Sequence, residues 1–400
     1  MKRKLLLITL LSFLLSPSSE ALAKEDSLLS SQIRVRLFTG ENPGYLFFKS
    51  LSGRYTIGIN SSDTVSFASG ETVLLTQYNN KVAVRMKGSK GFAADSVFIR
   101  CSSGQGGRFS LTPDAAGSSA RTYSGDLLCI ADMGSVLFIN VCEIETYIAG
   151  VVKAEGGNGK RAEYFRTQAI IARTYTYKYF NKHTPDRYNL CDDTHCQVFD
   201  GITTDSIIAK AVTDTRGMVI VSPDSNLIIA AFHSNCGGET SPSEYVWPAK
   251  QSYLDKVTDP WCTRSRNATW EKVIPAKNWV NVLTRHGYSG ASDSTSVFDF
   301  SQSSRVQDYV TGTFRLPFSR IRSELDLRSA WFSVKAEGDS IRLTGRGYGH
   351  GVGLCQEGAI QMAAKGYGYN DIITFYYPGV KILDIGSAKK SEDDKVTPKN

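Results

Sequence analysis

The spacing of the apolar residues changes near residue 141, and this change limits the possible folds of the 400-residue chain more than any other feature. From Ile33 to about Asn140, short runs rich in Val, Ile, Phe and Tyr alternate with Gly, Ser and Asn turns. From Val141 to about Lys182, apolar residues recur at helical spacing. Beyond this point strands and helices are interspersed without βαβ repetition. The sequence therefore predicts an α+β fold, mostly antiparallel β with a few packed helices, preceded by an all-β N-terminal module.

The first residues are typical of an export signal. A basic start is followed by an apolar run, Leu5 to Leu15, and by small residues ending at Ala23. The run is about half the length that a membrane span requires. We therefore predict a signal peptide over 1–23, a location in the periplasm or cell wall, and membrane attachment only if the signal is not cleaved.

The rest of the chain is predicted to divide into three parts. The all-β module covers 30–135, a second domain covers 136–384, and a charged tail without apolar residues, predicted to be disordered, covers 387–400. The formal net charge is +7, without a dense Lys/Arg stripe. This pattern argues against a nucleic-acid partner and suits an anionic polymer such as a cell-wall glycan.

Eight cysteines in an exported chain predict disulfides by default, although the sequence does not give their pairing. The segment HTPDRYNLCDDTHCQVFDG offers a second explanation for some of them. Its two imidazoles and two thiols match the ligands of a structural zinc site, in which four protein ligands leave no open position: His183, Cys191, His195 and Cys196. A reactive cysteine pair and nucleophilic catalysis by Cys196 remain alternatives.

Glu155 stands in an unusual position, in the stretch VVKAEGGNGK. The apolar residues before it recur at helical spacing and place Glu155 on the same stripe: Ile144, Tyr147, Ile148, Val151 and Val152. Gly156 is predicted to form a left-handed cap. Burial and the negative end of the helix dipole would both raise the pKa of this carboxyl group, as a general acid requires. A structural ion pair would leave the same pattern.

The next predicted helix covers about 162–182 and places Arg166 and Arg173 together on an apolar face. Buried arginines need anionic partners, and both Glu155 and a sugar carboxylate are candidates. Further along, GRGYGHGVGLCQEGA has glycine at every second position from 345 to 353. An extended chain here would have one face of glycine, open to a ligand or to another backbone.

Four segments in order resemble the SpoIID/LytB family, named for a stage II sporulation protein that remodels the septal wall. They are CEIETYIAGVVKAE, AIIARTYTY, THCQVFDG, and AAFHSNCGGET followed later by GRGYGHGVGLCQEGAIQMA and FYYPGV, within about residues 136–384. The family usually has Gly-Glu-Met where this chain has Ala154-Glu155-Gly156.

The resemblance implies a lytic transglycosylase that cleaves peptidoglycan glycan strands stripped of their stem peptides. It puts the catalytic acid at Glu155, a structural zinc at the Cys/His loop, and substrate contacts at Arg166, Arg173, His350 and Gln356. Glu155 would protonate the glycosidic oxygen and then deprotonate the 6-hydroxyl of muramic acid, leaving a 1,6-anhydro end. The alternatives are a non-catalytic glycan-binding protein that recruits or activates a wall amidase, and a zinc hydrolase.

Overall fold

The computed structural model describes residues 31–59, 63–102, 106–114, 117–157, 161–290 and 297–387. The predicted signal peptide and all but the first residue of the predicted tail lie outside these ranges. Within them the α+β prediction is confirmed: strands predominate, and seven α-helices are described. None of the described helices has the length and apolar character needed to cross a membrane.

Two sheets make up the N-terminal part. The first has the order β13-β1-β12-β11-β8-β3-β4 and consists of β1 Gln32–Leu37, β3 Tyr55–Ile59, β4 Asp63–Phe67, β8 Ser96–Cys101, β11 Asp126–Asp132, β12 Ser135–Glu143 and β13 Leu190–Cys191. The second has the order β10-β9-β2-β5-β6-β7 and consists of β2 Tyr45–Ser52, β5 Thr72–Tyr78, β6 Lys81–Met86, β7 Phe92–Ala94, β9 Arg108–Pro113 and β10 Arg121–Ser124. All pairings are antiparallel except β1 with β13.

Strand β12 connects the sheets to the helices. It pairs with β1 and β11 and continues directly into the first helix. One apolar core contains side chains of both sheets and of the helices that follow. The predicted domain division at residue 135 therefore passes through a shared sheet and a shared core. The helices are α1 Ile144–Glu155, α2 Ala162–Lys178, α3 Ser206–Asp214, α4 Ala276–Arg285, α5 Phe318–Glu324, α6 Gln356–Ala364 and α7 Tyr369–Tyr376.

A second apolar core lies between residues 270 and 343 and is built around the buried Trp279. Its four-stranded sheet has the order β16-β21-β20-β17, with β16 Thr269–Pro275, β17 Asp299–Phe300, β20 Phe332–Glu337 and β21 Ser340–Arg346. The remaining strands form pairs: β18 Asp308–Thr311 with β19 Phe314–Pro317, β14 Met218–Val221 with β23 Lys381–Asp384, and β15 Phe232–His233 with β22 Leu354–Cys355.

The segment NLIIAAFHSN has the composition of a strand, but only Phe232–His233 form one. Its backbone groups find other partners. Ile229 N donates to Tyr253 Oη, and Ala231 O accepts from Tyr377 Oη over 2.6 Å. The Tyr253 hydroxyl therefore satisfies an amide that a longer ladder would have paired, and Ala231 O accepts from Leu354 N as well as from Tyr377.

Candidate functional site

Helix α1 carries Glu155 as its last residue, and the predicted apolar stripe is buried along its length. Glu155 itself is partly buried. Burial raises the pKa of its carboxyl group, the hydrogen bond from Val198 N lowers it, and the negative charge of Asp200 raises it further. The net direction is upward, so this carboxyl group holds its proton to higher pH than an exposed glutamate does.

The end of α1 differs from the prediction at Gly156. This residue has a right-handed conformation with φ −73°, and its N–H bonds to Val152 O. Gly157 instead adopts the left-handed conformation, with φ +60°. The turn away from the helix therefore begins one residue later than the glycine pattern suggested, and Gly156 extends the hydrogen-bonded turn.

A backbone amide from the Cys/His segment contacts the carboxylate. Val198 N donates to Glu155 Oε1 over 2.8 Å. The preceding residue, Gln197, is buried and accepts from Thr176 Oγ1 over 3.1 Å, which ties the segment to α2. The sequence contained no signal for this contact, because a main-chain donor leaves no mark on residue identity.

The glycine-rich segment reaches the same helix end. Gln356 Nε2 donates to Glu155 O over 2.7 Å, and the buried Tyr164 donates its hydroxyl to Gly156 O over 2.9 Å. Of the predicted substrate-binding residues, Gln356 is thus the one that the structure joins to Glu155 by a hydrogen bond.

The predicted Cys/His ligands come together. One donor atom from each of His183, Cys191, His195 and Cys196 lies within 4.8 Å of all the others. Cys196 Sγ is 3.5 Å from His183 Nε2, and Cys191 Sγ is 3.6 Å from His195 Nδ1. These residues form a cluster that could bind a metal ion, and two thiols with two imidazoles suit zinc.

Neighbouring groups hold this cluster in place. Asp186 Oδ2 lies 3.4 Å from His183 Nδ1, the second ring nitrogen, which is the position of a carboxylate that orients a metal-binding histidine. Lys182 Nζ donates to His195 O over 2.7 Å. The hydrogen bond with the Cys196 thiol, and then His195, lower the pKa of Cys191 to about 5, while the same interaction raises the pKa of Cys196.

The two arginines of α2 do not face Glu155, which corrects the sequence expectation. Arg173 has no exposed surface, and its Nε and Nη2 form a bidentate pair with Glu145 at 2.9 and 2.6 Å. Arg166 pairs with Glu163 and with Asp214. Helical spacing placed the two arginines on an apolar face. It did not reveal that Glu145 of α1 and Asp214 of α3 supply their carboxylate partners. In this conformation Arg173 cannot contact a glycan.

The ring of His350 packs against the rings of His233 and Trp247. Its ring centroid is 5.6 Å from His233 and 5.5 Å from Trp247, and its Nδ1 accepts from Val352 N. Burial, followed by the charge of Arg322, lowers the pKa of His350 to about 4. At neutral pH this ring is uncharged, so the predicted substrate contact of His350 would not include a positive charge.

The alternating glycines do not form an extended strand. Strand β21 ends at Arg346, and all four later glycines have positive φ: Gly347, Gly349, Gly351 and Gly353. A Cβ at Gly353 would lie 2.2 Å from Ala231 O, and one at Gly347 would lie 2.6 Å from Asn235 O. At Gly347 and Gly353 the space is therefore filled by another backbone, the segment 231–237, and at Gly351 by the Arg305 side chain; glycine permits these approaches.

A polar cavity of about 830 Å³ lies next to the end of α1. Its lining includes Arg108, Arg121, Lys153 and Asp200. Lys153 is in the last turn of α1, and Asp200 is the residue whose charge acts on Glu155. The sequence interpretation missed all four. Arg108 and Arg121 come from strands of the N-terminal module, and Lys153 and Asp200 lie in motifs that it interpreted through other residues.

Comparisons with known proteins give consistent matches. A family model described as stage II sporulation protein matches residues 132–221, which include Glu155 and the Cys/His cluster. The chain is 30% identical to stage II sporulation protein D of Bacillus subtilis over 257 residues, 60% of this chain and 74% of that protein. It is 24% identical to an uncharacterised protein of Brachyspira hyodysenteriae over 90% of this chain and 98% of that one. It is 26% identical to the amidase enhancer of Bacillus subtilis over 59% of this chain but 40% of that protein.

Proposed function

The chain belongs to the SpoIID family of stage II sporulation proteins, and on that premise we propose that it is an exported peptidoglycan lytic transglycosylase. Its substrate is the glycan strand from which stem peptides have been removed, and it works in the periplasm or cell wall. The observation that carries the proposal is Glu155, a partly buried carboxyl group of raised pKa, and the residue whose negative charge contributes to that shift, Asp200, lines a polar cavity.

The chemistry requires one group that first gives and then takes a proton. Glu155, protonated, donates to the glycosidic oxygen as the bond to the anomeric carbon breaks. The resulting carboxylate accepts the proton of the muramic acid 6-hydroxyl, whose oxygen attacks the anomeric carbon and closes the 1,6-anhydro ring. Both roles fall to one residue, and Val198 N–H fixes the orientation of its carboxylate.

The cavity suits the charge of this substrate. Its three cationic side chains, Arg108, Arg121 and Lys153, would attract the lactyl carboxylates that peptide removal leaves on the strand. We assign substrate contacts to Arg108 and Lys153, in place of Arg166 and Arg173, since Arg121 is paired with Glu41 and contributes its charge less directly. Gln356 is assigned the positioning of Glu155 through its hydrogen bond to Glu155 O. The Cys/His cluster would hold a structural zinc, since four protein ligands leave no open position.

The test is digestion of peptide-free glycan strands, with mass spectrometry of the products. Wild-type protein should release 1,6-anhydromuramic ends, and Glu155→Gln should release none. Glu271→Gln is the control and should retain the wild-type rate. Glu271 is exposed on β16, a strand of the sheet that contains the second core. Anhydro products formed by Glu155→Gln at the wild-type rate would remove Glu155 from the mechanism.

The same digestion tests hydrolysis. A hydrolase needs a second carboxyl group, and Asp200 is the nearby candidate because its charge acts on Glu155. Products with reducing ends, lost in Asp200→Asn, would identify hydrolysis instead of the lytic reaction.

A second candidate function follows from the relative named amidase enhancer. The chain would then bind glycan strands without cleaving them and recruit or activate a wall amidase. Equal glycan binding by wild type and Glu155→Gln, with no cleavage by either and faster amidase action in the presence of both, would favour this function.

A further inference from the structure

A second cluster of metal-binding side chains lies in the interior, apart from the Cys/His cluster. It consists of Cys236, Asp259, Cys262 and Cys355, all fully buried, with one donor atom from each within 4.8 Å of all the others. Cys236 Sγ is 3.3 Å from Cys262 Sγ and 3.2 Å from Asp259 Oδ2. In a tetrahedral zinc site with bonds of about 2.3 Å, sulfur ligands lie roughly 3.8 Å apart, so small adjustments suffice.

We propose that these four residues form a second metal site, with three thiolates and one carboxylate binding a single zinc ion. Binding involves no redox step: each coordinating thiol releases its proton to solvent. The ligands come from three separate parts of the chain, which the metal would join: the loop after β15, the loop around 259–262 and the residue before α6. The proposal does not depend on the reaction assigned to Glu155.

The ligands are oriented by neighbours, as in established metal sites. Asp259 Oδ1 accepts from Trp261 N over 2.8 Å, and its Oδ2 accepts from the buried Tyr376 hydroxyl over 2.9 Å. Cys355 Sγ accepts from Cys236 N over 3.3 Å and from Gly358 N over 3.4 Å, at the first turn of α6. Backbone N–H groups pointing at a sulfur stabilise its thiolate form.

The backbone leaves space for this arrangement. A Cβ at Gly358 would lie 2.4 Å from Asp259 Oδ2 and 2.1 Å from Tyr376 Oη. Glycine at this position therefore allows the carboxylate and the phenol to approach the helix start. Gly358 is thus required for the geometry of the site, although it is not a ligand.

A metal ion accounts for the burial of these groups better than two other arrangements. A disulfide between Cys236 and Cys262 would leave Cys355 beside Asp259, and the 3.3 Å between the sulfurs exceeds the bond length of about 2.05 Å. The nearby cation, Arg305, directs its donors to Cys236 O and Glu239 O, not to the sulfurs. A buried carboxylate among thiols is costly without a partner of opposite charge, and zinc supplies one.

Four protein ligands make this a closed, structural site. Among its ligands, Cys355 connects the metal to the rest of the molecule, because it directly precedes α6. The next residue, Gln356, donates to Glu155 O, so a metal at Cys355 would fix the start of α6 against the end of α1. We therefore expect the metal to stabilise the fold and to hold Gln356 in position.

The test is the zinc content of the purified full chain, measured by inductively coupled plasma mass spectrometry. The double variant Cys191→Ser/Cys196→Ser removes the Cys/His cluster and should keep one zinc per chain. Cys355→Ser should lose one equivalent relative to wild type, and Cys129→Ser, at a buried cysteine outside both clusters, should lose none.

The outcomes separate the two sites. If only the Cys/His proposal fails, wild type and the double variant both hold one zinc, and Cys355→Ser holds none. A double variant that is folded but holds no zinc overturns the present proposal, as does a Cys236–Cys262 disulfide in the intact chain. Should Cys355→Ser not fold, cobalt substitution in the double variant replaces it: three-sulfur charge-transfer absorption supports the site, and its absence overturns it.

Discussion

Gln356 Nε2 donates a hydrogen bond to the main-chain carbonyl of Glu155 over 2.7 Å, although 201 positions separate the two residues. The contact joins the start of α6 to the end of α1. It also satisfies a carbonyl in the last turn of α1, where helical partners run out. The geometry around the carboxyl group therefore depends on a residue from the far end of the chain.

Replacing Gln356 should lower activity more than stability. Gln356→Ala removes one neutral hydrogen bond, worth about 1 kcal/mol of unfolding free energy. Displacement of Glu155 should reduce glycan cleavage by roughly ten-fold or more. Urea unfolding and product release measure the two effects. Gln361→Ala, at an exposed glutamine of the same helix, is the matched control and should change neither. A stability loss without a loss of rate would contradict a positioning role.

The pH dependence of cleavage should follow Glu155. Because its pKa is raised, the protonated acid persists above the range of an exposed glutamate, and the rate falls as pH rises through the raised pKa. Asp200→Asn removes the negative charge that contributes to the shift, so the falling limb should move to lower pH. A profile of kcat against pH for both proteins checks this, and an unchanged limb in Asp200→Asn would contradict it.

At neutral pH the ionised carboxylate of Glu155 should also lower the free energy of unfolding. A carboxyl group with a raised folded pKa stabilises the fold below its unfolded pKa, and this contribution is lost as pH rises through the folded value. Glu155→Gln is therefore expected to unfold at higher urea concentration than wild type at pH 7, and the difference should disappear near pH 3. A less stable variant at pH 7 would show that the ionised carboxylate is favoured in the fold.

Arg173 and Glu145 should behave as a buried structural pair. Arg173→Ala leaves Glu145 without its bidentate partner, and loss of such a pair costs about 3–5 kcal/mol. Arg166→Ala, on the same helix but more exposed, should change the unfolding free energy little. Urea unfolding of the two variants provides the comparison. A folded, stable Arg173→Ala that no longer binds glycan would restore the substrate role inferred from sequence.

The sequence predicted the elements better than the partners of their side chains. Helix α1 and its buried stripe follow from apolar spacing alone, and the four ligands of the Cys/His cluster lie close together along the chain. The prediction for the cysteines differs from the structure. All eight lie within the described residues and are free there, so the disulfides expected by default are not formed.

The errors share one cause, which is contact between distant segments. Cys236 and Cys355 lie in different motifs, and neither motif suggested that their sulfurs meet beside Asp259. The period of two in the glycines from 347 to 353 predicts an extended strand. The period reflects positive φ at each of these glycines, where a Cβ would meet the segment 231–237 at Gly347, Gly349 and Gly353, and the Arg305 side chain at Gly351. Neither relationship is local, so no local pattern could have revealed it.

The glycine segment offers a paired test of this explanation. Gly353 and Gly338 both have positive φ, but a Cβ at Gly353 would meet Ala231 O, whereas nothing lies within 4 Å of one at Gly338. Gly338→Ala should cost about 1 kcal/mol for the strained backbone. Gly353→Ala adds overpacking and should cost roughly 3 kcal/mol. Equal losses in urea unfolding would mean that backbone conformation alone selects glycine.

Disruption of the Cys/His cluster, where we propose a structural zinc, should release the amide that holds Glu155. Cys196 lies two residues before Val198, whose N–H donates to the carboxylate. In the variant Cys191→Ser/Cys196→Ser we expect faster hydrogen exchange at Val198 and slower glycan cleavage, while exchange in β12 stays at the wild-type rate. The cause would be lost orientation of the carboxylate, not lost water activation. A zinc that activates water would give another result: cleavage would stop on chelation while Val198 kept its protection. Exchange and cleavage measured on the same samples therefore distinguish a structural metal from a catalytic one.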